Sequence, residues 1–130
     1  MKKLLILLFS ILVSISSYGE WLLLGEDSGN KFYYEVDTIK TSNGYIYYWD
    51  LVNFPEPFAG IYMSGIRYKQ GDCGVFRDKT LSGFLFTKPM GLGENESVPY
   101  DNSDWEYYLP NTTGYENFTM LCLLAEIENQ

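Results

Sequence analysis

The sequence predicts an α+β domain: a small antiparallel sheet of about five to six strands, a C-terminal helix packed on it, and one disulfide. Three observations carry this reading. Apolar and polar residues alternate with period two through most of the chain, and the pattern switches to a helical period near the end. Two cysteines, Cys73 and Cys122, are the chain's whole complement, and one falls in each part.

The N-terminus reads as an export signal. Met1, Lys2 and Lys3 give a positive start, and Leu4 to Val13 is an apolar run too short to cross a bilayer core of about 30 Å as a helix. Small residues follow, and Ser17 and Gly19 suit a peptidase site, so cleavage is placed after Gly19. Residues 1–19 are then removed and 20–130 form a single domain, periplasmic or secreted, with no stable membrane insertion. The signal holds two of the nine basic residues and none of the seventeen acids, so the formal charge falls from −8 to −10 in the mature chain. A chain so acidic repels nucleic acid and other polyanions.

The elements follow in order. Trp21 to Leu24 is a short apolar run closed by a polar turn from Gly25 to Asn30. Phe32, Tyr34 and Val36 then alternate with Lys31, Tyr33 and Glu35, as in a half-buried strand. Asn43-Gly44 signals a tight turn. Tyr45 to Phe54 is the most β-prone segment, with Tyr45, Tyr47, Trp49 and Leu51 on one face and Ile46, Tyr48, Val52 and Phe54 on the other. Pro55-Glu56-Pro57 is expected to end it, because proline donates nothing to a ladder. Ile61 to Gln70 and Val75 to Lys88 are further strands, the second with an expected bulge near Ser82-Gly83. Pro89 to Asp104 reads as a long acidic loop, and Trp105 to Leu109 as an aromatic anchor or short strand.

Thr113-Gly114-Tyr115-Glu116 fits a capping box, with Thr113 capping the backbone and Glu116 reaching back. Phe118, Leu121, Cys122 and Ala125 lie on one face of the helix that follows. In an oxidising compartment the two cysteines have one intramolecular pairing. A redox pair would sit closer in sequence and a zinc site would want four ligands. The bridge therefore reads as structural, clamping the helix to the end of the fourth strand. Closing a loop of about 50 residues contributes roughly 4 kcal/mol in the chain-entropy model.

The search for chemistry returns no catalytic, cofactor or metal residue. The chain has no histidine, so neither a Ser-His-Asp nor a Cys-His arrangement can form. Gly91 and Gly93 lack the lysine and serine of a phosphate loop. A carboxylate pair of the glycosidase kind could be drawn from Asp101, Asp104, Glu106, Asp37 or Asp50, but it would need one acid raised in pKa by burial. Glu94, Glu96, Asp101, Asn102 and Asp104 offer oxygens suited to calcium, without the EF-hand spacing. The remaining use of Glu94, Glu96, Asp101 and Asp104 is as an acidic surface for a basic partner. The tyrosines and tryptophans read as core and sheet surface, with a stacking platform for sugar or peptide as the alternative.

An ordered set of landmarks resembles the bacterial surface-adhesin protein E family. It comprises Trp21, Tyr34-Glu35-Val36-Asp37-Thr38-Ile39, Tyr48-Trp49-Asp50-Leu51-Val52-Asn53, Ser64, Gly71-Asp72-Cys73, Trp105, and Pro110 leading to Cys122. The likeness spans nearly the whole mature chain. It implies a disulfide-linked antiparallel sheet with a helix, and attachment to extracellular-matrix or plasma proteins, sometimes as a homodimer. Two features depart from the family pattern: no cysteine follows the signal to carry a lipid anchor, and the only arginines are Arg67 and Arg77. The expected function is thus an exported non-enzymatic binding module acting on a protein partner. The alternatives are a periplasmic accessory or inhibitor protein and, more remotely, a carboxylate-pair hydrolase.

Overall fold

A computed structural model describes residues 21–128; the expected signal and its cleavage point lie outside them. The described chain is mostly β with one helix. Eight strands form one antiparallel sheet: β1 (Leu22–Asp27), β2 (Asn30–Tyr34), β3 (Lys40–Ser42), β4 (Tyr45–Phe58), β5 (Tyr62–Asp72), β6 (Arg77–Lys88), β7 (Leu92–Val98) and β8 (Glu106–Tyr107). Six run side by side in the order β1-β2-β4-β5-β6-β7, with short β3 beside β4 and short β8 beside β6. The helix α1 (Thr113–Glu128) is the last described element.

Local chemistry sets the turns. Ser28-Gly29 and Asn43-Gly44 each place two successive residues at positive φ, the turn whose twist matches that of the flanking strands. The first of these corrects the expected turn over Gly25 to Asn30, because Gly25 to Asp27 pair with β2 instead. Asp72 accepts hydrogen bonds from the Gly74 and Val75 N–H groups, which shapes the β5–β6 turn.

Three further expectations are corrected. The Pro55-Glu56-Pro57 stretch does not stop β4. Pairing with β5 lapses after Asn53 and resumes at Phe58–Tyr62, so the missing proline donors interrupt the ladder while the chain stays extended. The expected acidic loop is not one loop: Pro89–Gly91 forms a 3-10 turn and Leu92–Val98 pairs with β6 as an edge strand. The helix cap also moves by one residue, because Thr112 Oγ1 accepts the Tyr115 N–H at 3.2 Å. The β6 bulge falls at Leu81, beside the expected Ser82-Gly83, since Tyr68 pairs with Ser82 and Lys69 with Thr80.

The helix packs across one end of one sheet face. Phe118 and Leu121 are almost wholly buried there with Tyr34, Ile46 and Tyr48. A Cβ at Gly71 would stand 3.1 Å from the Phe118 ring, so the glycine lets that ring approach the strand. The Cys73–Cys122 disulfide, with Cα atoms 5.9 Å apart, ties the end of β5 to the helix. The sequence reading placed its clamp there.

Candidate functional site

Period-two alternation gives β4 two faces, and the helix-bearing face carries charge where an apolar core is usual. Asp50 lies between Tyr48 and Val52 on that face and is 1% exposed. Its cross-strand neighbour is Arg67, whose Nε and Nη2 donate to the two carboxylate oxygens at 2.9 and 2.6 Å. Burial works against the guanidinium charge, but Asp50 outweighs it and holds the arginine above its ordinary pKa. One step along the sheet, Lys69 Nζ meets Asp78 at 2.9 Å. Asp78 also accepts hydrogen bonds from the Tyr48 hydroxyl at 3.0 Å and from the Tyr108 hydroxyl. Every charge in this belt is matched, as buried charges require.

Beyond the belt the helix no longer covers the sheet. Val52, Phe54 and Gly65 form the floor of an open groove, walled by Phe58, Leu85, Val98 and Tyr100, with Arg67 at one end. Its volume is about 290 Å³. The Tyr100 ring reaches the sheet because Gly83 leaves room, a Cβ there standing 2.7 Å from the ring. An apolar concavity with one cationic group at its edge suits a side chain or short segment of another protein.

On the opposite face, the 3-10 turn at Pro89–Gly91 folds back over the sheet. Asn53 accepts from the Met90 N–H at 2.8 Å, and Ser64 Oγ accepts from the Gly91 N–H at 2.9 Å. Beside it lies a half-exposed aromatic row: Tyr68 contacts Trp49 at 4.7 Å and Tyr47 at 6.3 Å between ring centres. Tyr45 packs on Trp105, over which the Arg77 guanidinium sits at 4.1 Å. The aromatic residues thus divide between core, as with Tyr48, and this outer row.

The residues singled out from sequence are scattered. Glu94 and Glu96 lie on edge strand β7, while Asp101 and Asp104 follow in the connection to β8, all four exposed. Among the described residues, no group of three or more acids or cysteines is placed to hold a metal ion. Of the possible carboxylate pair, Asp37 sits in a 3-10 turn and Asp50 is bound by Arg67. The sequence reading missed the charged belt. Its signal was available: Asp50 occupies an inward position of a strand pattern, and Arg67 and Lys69 share one face of the next strand.

Comparison with known proteins agrees with this architecture. The model of the surface-adhesin protein E family matches residues 21–123. The chain belongs to that family. Crystal form II of Haemophilus influenzae protein E superposes with a TM-score of 0.68 at 15% identity, covering 84% of this chain and 91% of that one. Protein E from non-typeable Haemophilus influenzae gives 0.64 at 15% identity, over 86% and 88%. At such identities the likeness concerns the fold. No curated protein sequence matches the chain significantly. Among the described residues, no helix is long and apolar enough to cross a membrane.

Proposed function

We propose that this family member is an exported, non-enzymatic binding module that attaches to host or other extracellular proteins. The observation that carries the reading is the family match across residues 21–123. Export rests on the signal pattern of residues 1–19, cleaved after Gly19, and on the cysteine pair, which suits an oxidising compartment. The non-enzymatic reading draws support from the buried carboxylates: Asp50 and Asp78 are each held by a cation, which leaves neither as a free acid for hydrolysis. The open groove beside Arg67 is the surface this reading assigns to the partner.

The test is capture by the immobilised mature chain, residues 20–130, of purified matrix and plasma proteins. Saturable binding to one or more that survives neutralisation of Glu94, Glu96, Asp101 and Asp104 supports the module. Absence of binding across the panel removes it. The second reading, a periplasmic accessory or inhibitor protein, draws on the exposure of those four acids. It would be favoured by affinity that falls steeply with salt and vanishes in the neutralised variant.

A further inference from the structure

The sheet has two outer edges, and the fold treats them differently. At β1 the helix lies against the edge, with Asn117 packed on Gly25 where no Cβ would fit. At the other edge, β7, six of seven residues are exposed. Among the described residues, no strand pairs with the outer side of β7, and no backbone bond from a loop or turn reaches it. Residues 95–98 pair in regular register with Phe86 to Gly83. In such a pair, alternate residues turn both N–H and C=O away from the neighbouring strand. β7 therefore offers a row of backbone donors and acceptors to solvent, the template for one more strand.

Charge and neighbours select which strand fits. Edge strands are commonly guarded by lysine or proline, and β7 holds neither, carrying Glu94 and Glu96 instead. A second copy is disfavoured: pairing β7 with itself sets these acids against their equals, and pairing it with β1 sets them against Glu26 and Asp27. A basic segment meets the opposite situation, and the acidic surplus of the whole chain steers it inward. By period two, Glu94, Glu96 and Val98 fall on one face of the strand. Val98 walls the apolar groove. Glu94 and Glu96 border a second concavity of about 270 Å³, shared with Ile61, Tyr62 and Thr87. The Tyr62 hydroxyl donates to Glu96, which still leaves that carboxylate lone pairs for a cation. Ile61, 57% exposed, offers apolar surface to the stem of a lysine. Lys88 stands across from Leu92, at the far end of the strand from Val98.

We propose that β7 takes up an extended, basic segment of a partner polypeptide as a further strand, antiparallel like the rest of the sheet. Its alternate side chains are an apolar residue beside Val98, then lysine or arginine beside Glu96 and again beside Glu94. This rests on the binding-module reading above and gives that partner a chemistry: backbone bonds hold the segment, while the acids and the groove select it.

The test titrates a capped peptide, Thr-Val-Thr-Lys-Thr-Lys-Thr, into the mature chain and follows the amides of residues 94–98 by NMR. Saturable shifts, with slowed hydrogen exchange at alternate amides of this set, support the proposal. Glutamate in place of both lysines of the peptide should weaken binding at least about 10-fold, since like charges then oppose. Two N-methylated forms, blocked on odd or on even residues, separate backbone pairing from side-chain contact. One should bind and the other should be silent, because only one edge of the peptide faces β7. Equal binding of both forms, equal binding of the glutamate peptide, or no saturable shift would overturn the proposal. Slowed exchange that appears without peptide and grows with protein concentration would name a second copy as the occupant, and overturn it too. Glu94→Gln with Glu96→Gln should weaken the lysine peptide only about 5-fold, the size of two exposed ion pairs, because the backbone bonds remain. Complete loss in that variant would reduce the site to an acidic patch and overturn the added strand. If the peptide is silent while purified matrix or plasma proteins are still captured, the edge proposal fails and the module reading stands.

Discussion

The two halves of one sheet face make an instructive contrast. Strands β4, β5 and β6 run beneath both. Under the helix they present Ile46, Tyr48, Lys69, Gly71 and Asp78, sealed by Phe118 and Leu121 and tied by the disulfide. Past Arg67 they present Val52, Phe54, Gly65 and Leu85, with Phe58, Val98 and Tyr100 along the rim. The covered half holds the apolar core and, inside it, the paired charges, while the open half holds apolar side chains with no helix over them. A charge inside the covered half is tolerated because each has its counter-ion within 3 Å. Apolar surface left open contributes little burial energy to the fold, and it is the half that the proposed function assigns to a partner.

The strongest way to break this contrast is to unpair the covered half. Lys69→Ala removes the cation from Asp78 and leaves a carboxylate that is 1% exposed with only tyrosine hydroxyls as partners. The expected loss is about 3–5 kcal/mol by urea unfolding, because the remaining charge is stranded. The double change Lys69→Met with Asp78→Leu should recover most of it. A loss below about 1 kcal/mol for Lys69→Ala would mean that water reaches Asp78 and that the covered half is not sealed.

A second test uses pH. Burial, followed by the nearby Asp50 for Tyr34 and Asp78 for Tyr48, pushes both phenols above their ordinary value. In the unfolded chain each loses its proton near pH 10, while in the fold each keeps it. Their contribution is thus complete below about pH 10 and is lost as pH rises from there toward the raised folded values. Two such groups give a slope of roughly 3 kcal/mol per pH unit above pH 10. Thermal midpoints measured from pH 8 to 11.5 should be level at first and then fall steeply, and Tyr34→Phe should make the fall shallower. A flat profile through pH 11 would show that the phenols ionise in place.

How much of this was legible in the sequence depends on which force did the placing. The alternation along Tyr45 to Phe54 showed both faces of β4, because side chains follow backbone pleating without outside help. The helix and its cysteine followed from period and compartment in the same way. Strand β7 was hidden, since Leu92 to Val98 contains Gly93, Glu94, Asn95 and Glu96 and pairs with β6 through its backbone without an alternating apolar pattern to announce it. The groove was hidden for a different reason. Which half of the sheet lies bare is decided by where the Cys73–Cys122 anchor sets the helix, and by the fit of Phe118 over Gly71, and neither distance is written in any local pattern.

The smallest expected effect sharpens the contrast most. Phe58 is 56% exposed and contacts Phe54 at 5.8 Å between ring centres, so it lies over the open groove with solvent on its other side. Phe58→Ser should cost less than about 1 kcal/mol in urea, within the usual range for a surface change. Removing a comparable ring from the covered half, as in Phe118→Ala, should cost about 3–5 kcal/mol. The same Phe58→Ser variant should nonetheless lose affinity for any protein captured through the groove. That pairing of near-silent stability with impaired capture separates a surface kept for a partner from one kept for the fold. If Phe58→Ser destabilises the chain as much as Phe118→Ala, the groove is part of the core and the distinction between the two halves collapses.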